Sequence, residues 1–140
     1  IAQNDPPGNN VTSVRLGARV PITLTASGAA LISQMPQHQR AEICAGVEFA
    51  THDHNKVFEE SVDQVITTGV CVSPSMVIAG VQNISVPILD YSGLVVASLT
   101  IPYIQRLIST NDPDLDQAKT ALAETGKNIS IRLGAGVSTL

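Results

Sequence analysis

Apolar and polar positions follow their most regular pattern in residues 81–102, VQNISVPILDYSGLVVASLTIP. Two runs rich in Val, Ile and Leu flank the turn-forming residues 90–93, DYSG. This combination predicts a long β-hairpin. If residues 90–93 form the loop, Leu89 faces Leu94, and that pairing sets the register of the two strands.

This register divides the hairpin into two faces, because facing residues of an antiparallel pair lie on the same side of the sheet. It pairs Ser85 with Ser98 and Asn83 with Thr100. The apolar face consists of Ile84, Val86, Ile88, Val95, Ala97, Leu99 and Ile101. The mixed face combines Asn83, Ser85, Ser98 and Thr100 with Pro87, Val96 and Leu89. Such a hairpin suits the wall of a small-molecule pocket. A solvated strand face is the alternative interpretation of its polar residues.

The chain before the hairpin is predicted to be mainly helical. Residues 11–22 are strand-like, and residues 23–35 form a helix that Pro36 ends. Thr23 or Thr25 is the candidate N-cap of this helix, because a Thr side chain can accept a hydrogen bond from a free helical N–H.

A short helix over 41–50 and a polar loop over 51–56 precede a clear amphipathic helix. The stripe that this helix buries is formed by Val57, Phe58, Ser61, Val62, Val65 and Ile66. Gly69 ends the helix as a C-cap, and a short strand follows over 70–73.

A last helix is predicted from about residue 115 to 133, after the start signal at residues 112–114. Its buried face consists of Ala118, Leu122, Thr125, Ile129 and Leu133. The order strand, helices, strand, hairpin and helix predicts an α/β sandwich, in which helices flank a largely antiparallel sheet. The length of 140 residues fits one domain over 1–140.

Composition excludes several function classes. The net charge is −4, and the eight Lys and Arg residues form no basic stripe, so we do not expect this segment to bind nucleic acid. No apolar run approaches the roughly 20 residues of a membrane-spanning helix. Aromatic residues make up 3% of the chain, which excludes an aromatic cage.

The residues capable of metal or nucleophilic chemistry form no recognisable catalytic set. Residues 52–54, His-Asp-His, lack a third ligand at a motif spacing, so we expect a surface loop and no metal. Cys44 and Cys71 are interpreted as buried, reduced thiols. Neither Cys71 nor Ser73 belongs to a legible nucleophile–base arrangement, and we therefore expect no enzyme activity. The acidic residues Glu59, Glu60 and Asp63 are assigned to the solvent-exposed face of their helix.

Three blocks of this sequence resemble the effector-binding domain of IclR-type transcriptional regulators. Residues 80–100, GVQNISVPILDYSGLVVASLT, are similar to the family's signature hairpin. Residues 14–31, VRLGARVPITLTASGAAL, resemble its strand-to-helix entry, and residues 118–134 resemble its last helix.

The resemblance implies a GAF-like or profilin-like domain that binds a small-molecule effector without a cofactor. It further implies a cytoplasmic protein that assembles as a homodimer or homotetramer. The family carries a winged helix-turn-helix before this domain, and DNA would be bound only through that part. The chain starts at Ile1 without Met, and we expect an earlier part of the protein to precede it.

The resemblance also implies which residues contact the effector. The family's backbone amides at the helix start correspond to Ala26, Ser27 and Gly28. An acidic position corresponds to Ser73, a Cys position to Asn83, and two Ser positions to Thr100 and Pro102. With Ser98 from the mixed face, these eight residues form the expected site. The residue types depart from the family's at Ser73, Asn83 and Pro102, so the ligand is expected to differ.

We expect a small effector whose carboxylate lies at the helix start and whose hydroxyl or carbonyl reaches Asn83, Thr100 and Ser73. Ser27 and Gly28 have a second interpretation, as residues that let the helix pack closely on the sheet. Two other functions are considered: a stand-alone GAF-like enzyme or sensor, and a structural oligomerisation module.

Overall fold

The computed structural model describes residues 17–46, 52–76, 78–104 and 112–136, and for 52 and 53 only the backbone. A short 3₁₀ helix, Ile22–Leu24, precedes the first α-helix. The helices are α1 (Ala26–Ile32), α2 (Gln37–Ala45), α3 (His52–Thr68) and α4 (Leu115–Arg132). The strands are β1 (Cys71–Pro74), β2 (Val81–Leu89) and β3 (Val95–Ile104). They form one antiparallel sheet in the order β1-β2-β3 with helices on both faces, which confirms the predicted fold class.

The boundaries of the N-terminal elements differ from the prediction. Residues 17–21 form no strand, and Ile22 already belongs to the 3₁₀ helix, so that part of the predicted strand is wrong. Pro21 starts this turn because its fixed φ, here −58°, suits a helical start. Residues 11–16 and 47–50 lie outside the described residues.

Two polar stretches that resembled loops are helical. Pro36 precedes α2 directly, so this helix begins at Gln37 rather than at residue 41. Residues 52–56 were predicted as a loop, but they form the N-terminal part of α3, which begins at His52. Polar residues are compatible with an exposed first turn, and the apolar periodicity that marks a helix begins only at residue 57.

The hairpin is confirmed, but the predicted register is wrong by two residues. Ser85 pairs with Thr100, and Asn83 pairs with Pro102. Two local features cause the shift. The Asp90 N–H donates to the Leu94 carbonyl at 3.0 Å, which leaves a three-residue loop ending at Gly93, whose φ is +79°. A bulge between Ile88 and Leu89 adds the second residue.

A shift of two residues leaves both faces intact, because side chains alternate with a period of two. β1 adds Val72 to the apolar face, and it adds Cys71 and Ser73 to the mixed face. The bulge changes one assignment. Val95 pairs with Leu89, a residue of the mixed face, so Val95 does not belong to the apolar face as predicted.

Helix α4 covers the apolar face. The core between them consists of Val70, Ile84, Val86, Ala118 and Leu122. The residues of α4 that are buried follow one row at i, i+4, namely Ala118, Leu122, Gly126 and Ser130. The predicted buried positions Thr125 and Leu133 are exposed, because Gly126 lets the helix approach Val86 along this row instead.

Helices α1 and α3 pack on the other side of the sheet, where Cys71 joins their core. Three residues of the predicted stripe of α3 are buried there, Phe58, Val62 and Val65. Val57 and Ile66 are 61% and 51% exposed, so the stripe is narrower than predicted. Gly69 ends α3 with a φ of +78°, as predicted. No described helix has the length and apolar character needed to cross a membrane.

Candidate functional site

Three predicted site residues form one row across the mixed face. Ser73 of β1 pairs with Asn83 of β2, which pairs in turn with Pro102 of β3. Ser73 and Asn83 are half-buried, and Pro102 is exposed. We call these three residues the Ser73–Asn83–Pro102 row. The register therefore brings Asn83 beside Ser73, and not beside Thr100 as the predicted register had it.

A second row lies beside it, about 7 Å further along the strands. It contains Cys71, Ser85 and Thr100. The hydroxyl groups of Ser85 and Thr100 are hydrogen-bonded to each other at 2.7 Å, and Ser85 is fully buried. Thr100 was predicted to bind the effector, and its hydroxyl already has this partner. Ser98 pairs with Pro87 one row further on, where it is half-buried.

The Ser73–Asn83–Pro102 row carries hydrogen-bonding capacity that the described protein does not use. Within the described residues, neither the Ser73 hydroxyl nor the Asn83 amide has a hydrogen-bond partner. Half-buried polar groups of this kind are satisfied by water or by a ligand. This property distinguishes them from the Ser85–Thr100 pair.

The start of α1 is held by Thr25. Its hydroxyl oxygen accepts a hydrogen bond from the Gly28 N–H at 3.0 Å and another from the Ser27 hydroxyl at 3.2 Å. The Gly28 amide is therefore not a free donor. The amides of Ala26 and Ser27 come before it in the helix and are not the ones that the Thr25 side chain caps. A Cβ at Gly28 would lie 1.8 Å from the carbonyl oxygen of Ile22. Gly28 is thus required for close packing, which supports the second interpretation given to it.

The wall formed by the mixed face and α1 has a single titratable side chain among its described residues, the thiol of Cys71. Burial raises the pKa of this thiol, and a hydrogen bond with Ser61 opposes the shift only in part. The thiol is therefore protonated at neutral pH. As far as the structure describes it, this wall therefore carries no formal charge.

The second thiol lies away from this wall, between α2 and α3. Burial raises the pKa of Cys44, and the nearby carboxylate of Glu59 adds to the shift. Glu59 forms an ion pair with Arg40 at 3.7 Å, so it is not simply part of a solvated face as the sequence indicated. Both cysteines are free and buried, as predicted.

Two clefts lie elsewhere on the described surface. One, of about 460 Å³, is bounded by Gly80, Gln82, Tyr103, Asp114, Leu115 and Asp116. The other, of about 330 Å³, separates the end of α3 from α4. Neither is lined by the eight predicted residues. Among the described residues, no three His, Cys, Asp or Glu side chains are grouped as metal ligands would be.

The sequence placed Ser85 on the mixed face but gave no reason to place Cys71 there. The pairing of β1 with β2 brings Cys71 beside Ser85. The predicted register paired Thr100 with Asn83, whereas the observed register pairs it with Ser85.

A family model and solved structures of known proteins both match this chain. Residues 1–131 match the family model described as "Bacterial transcriptional regulator IclR C-terminal". No curated protein sequence matches this chain. Several solved structures are similar to it over most of its length.

The repressor BlcR of Agobacterium tumefaciens is 21% identical with a TM-score of 0.69, over 89% of this chain and 51% of BlcR. The C-terminal domain of the Escherichia coli regulator KdgR is 25% identical with a TM-score of 0.66, over 84% of this chain and 74% of that one. A third similar structure is that of a double mutant of the inducer-binding domain of PobR from Acinetobacter, in complex with 3-hydroxybenzoic acid. It is 24% identical with a TM-score of 0.69, and the match covers 91% of this chain and 77% of that one. The chain spans about half the length of BlcR.

Proposed function

This chain belongs to the IclR-type bacterial transcriptional regulators as a C-terminal domain, and from that membership we propose that it senses a small-molecule effector. The effector would bind between the mixed face and the start of α1. Its binding would change the DNA affinity of a winged helix-turn-helix domain attached to this one.

The observation that carries the proposal is the Ser73–Asn83–Pro102 row. It presents unused hydrogen-bonding groups on a sheet face otherwise covered by α1 and α3. A binding site needs a few polar groups of this kind on an apolar wall. A similarly folded domain, that of PobR, has been solved with 3-hydroxybenzoic acid bound, which supports a small acid as the class of ligand.

We propose that the carboxylate of the effector lies near the backbone amides of Ala26 and Ser27. Gly28 shapes this corner by allowing α1 to approach the Ile22 carbonyl, rather than by donating a hydrogen bond. The remainder of the effector would extend along the mixed face. The lining proposed there consists of Ser73, Asn83, Ser98, Thr100 and Pro102.

The link to DNA is proposed as a shift between two conformations or assembly states. An effector changes such an equilibrium only by its difference in affinity for the two states. We propose a cytoplasmic homodimer or homotetramer as the form in which this occurs. We propose sensing rather than catalysis, since the Cys71 thiol on this wall is buried with a raised pKa, and within the described residues the Ser73 hydroxyl has no base as hydrogen-bond partner.

Thermal unfolding of the domain with a panel of small carboxylic acids tests the proposal. A ligand present at 100 times its Kd stabilises the folded state by about 2.7 kcal/mol. At least one acid is expected to raise the Tm. The full-length regulator should then change its affinity for operator DNA in the presence of the same acid, as measured by electrophoretic mobility shift.

Other outcomes favour the alternatives. Stabilisation by neutral apolar compounds only would contradict a carboxylate effector. A Tm unchanged by every compound would favour a structural oligomerisation module. A gene product without a helix-turn-helix would favour a stand-alone GAF-like sensor or enzyme.

A further inference from the structure

We propose that Ser73 and Asn83 select an effector whose far end, opposite its carboxylate, carries an uncharged hydroxyl or carboxamide rather than a second carboxylate. This inference rests on the proposed function. It adds the chemical class of the group that the mixed face recognises.

The geometry allows one ligand group to reach both side chains. Ser73 and Asn83 are directly paired residues of adjacent antiparallel strands on the same face. The Cβ atoms of such a pair are about 5 Å apart. One small polar group above the pair can therefore contact the hydroxyl and the amide together.

The donors and acceptors of the pair define what fits. The Ser73 hydroxyl can donate one hydrogen bond and accept others, and the Asn83 amide has both an NH₂ donor and a carbonyl acceptor. A hydroxyl or a carboxamide also donates and accepts, so it can satisfy both residues. A carboxylate only accepts, so it could use the Ser73 hydroxyl and the Asn83 NH₂ as donors but would leave the Asn83 carbonyl oxygen without a donor from the ligand.

The charge of the wall disfavours a second anion. No Lys, Arg or His lies on the described mixed face or on α1. Burying a carboxylate without a cationic partner is costly. Pro102, on the other side of Asn83, has no amide N–H with which to compensate.

The neighbouring row does not offer the same recognition. Ser85 and Thr100 are already bonded to each other at 2.7 Å, and Ser85 is fully buried. A ligand group there would have to break this bond. Selectivity is thus assigned to Ser73 and Asn83.

Isothermal titration of the domain with two matched series of acids tests the inference. The four-carbon series is succinamate, 4-hydroxybutanoate, succinate and butanoate. The aromatic series is 4-carbamoylbenzoate, 4-hydroxybenzoate, terephthalate and benzoate. In the series that binds, the acids with an uncharged polar end are expected to bind at least about tenfold more tightly than the other two, since one or two hydrogen bonds are gained.

Variants connect this preference to the row. Asn83→Leu keeps the approximate size of the side chain and removes its polar groups, so the preference should fall to less than about threefold. Ser73→Ala should reduce it in part, and it provides the test if Asn83→Leu does not fold. Gln82→Leu is the matched control, because the adjacent amide lies exposed on the opposite face of the same strand. It should leave the preference unchanged.

The outcomes separate the inference from the proposed function. If a dicarboxylate or an apolar-ended acid binds best, or if the variants retain the preference, the inference is wrong while effector sensing stands. If the wild-type domain binds none of the eight acids, the inference is wrong, and effector sensing is then decided by the thermal unfolding panel alone.

Discussion

The two faces of the sheet bury their central residues equally well and differ in what they leave unused. Ile84 on the apolar face and Ser85 on the mixed face are both 0% exposed. On the apolar face, Val86 and Ile88 continue the buried run beneath α4. On the mixed face, burial ends at Asn83, whose amide has no partner within the described residues. The apolar face therefore serves stability, and the margin of the mixed face is where we propose that a ligand is recognised.

A glycine on each side of the sheet shows a second difference. A Cβ at Gly126 would lie 2.7 Å from Cγ2 of Val86, so α4 is limited by a side chain. A Cβ at Gly28 would lie 1.8 Å from the backbone oxygen of Ile22. A side chain can shift by a few tenths of an ångström, whereas the backbone of a 3₁₀ turn shifts only with the whole segment.

The largest expected effect follows from this contrast. Gly28→Ala should lower the free energy of unfolding by at least about 3 kcal/mol, because the new methyl group forces the 3₁₀ turn away from α1. Gly126→Ala should cost only about 1 kcal/mol, since overpacking against Val86 is partly offset by the better helix propensity of Ala. Urea unfolding of both variants measures the difference. Equal losses would show that the two close approaches are equivalent.

The next effect compares the buried residues of the two faces directly. Ile84→Ala should lower the free energy of unfolding by about 3 kcal/mol, through lost burial and a cavity under α4. Ser85→Ala should cost about 1 kcal/mol, because it removes one hydrogen bond and leaves the exposed Thr100 hydroxyl free to bind water. Gln82→Ala, on the same strand but exposed, is the control and should change stability little. A larger loss for Ser85→Ala than for Ile84→Ala would contradict the assignment of stability to the apolar face.

The face pattern could be predicted from the sequence, whereas the register could not. Alternation of Ile84, Val86 and Ile88 with Asn83, Ser85 and Pro87 specifies the sides of β2 whatever its partner. The register depends on a hydrogen bond within the turn, from Asp90 to Leu94, and on a bulge at Leu89, where α4 contacts the hairpin. The Leu89 N–H, for example, donates to the Ser130 hydroxyl of α4 at 3.0 Å, a contact from 41 residues away.

Only part of the structure at the start of α1 could be predicted, because the rest again depends on contacts with another segment. Thr25 was one of two candidate caps, and its side chain does cap α1. The close approach of Gly28 to the Ile22 backbone depends on a 3₁₀ turn, and Pro21 is the local signal for that turn. The resemblance placed Ser73 and Asn83 in one site, but their direct pairing depends on the register of β1 against β2, which local spacing does not determine.

The smallest predicted effect is a dependence on alkaline pH that arises on one side of the sheet only. Burial raises the pKa of Cys71, so the unfolded chain loses this proton at lower pH than the folded domain does. The stability contribution is complete below about pH 8 and is lost as the pH rises through the range between the two pKa values, by at most about 1.4 kcal/mol per pH unit. Cys71→Ala should therefore flatten the decline of the unfolding free energy between pH 8 and pH 10, as measured by urea titration.

Ile84→Ala supplies the control for this pH dependence, because it weakens the opposite face without removing a titratable group. Its unfolding free energy should fall with pH as steeply as that of the wild type, from a lower starting value. Cys44→Ala should flatten the decline as well, since burial and Glu59 raise the pKa of that thiol. If Ile84→Ala flattened the decline as much as Cys71→Ala, the alkaline sensitivity would belong to the whole domain and not to the side that carries the thiols.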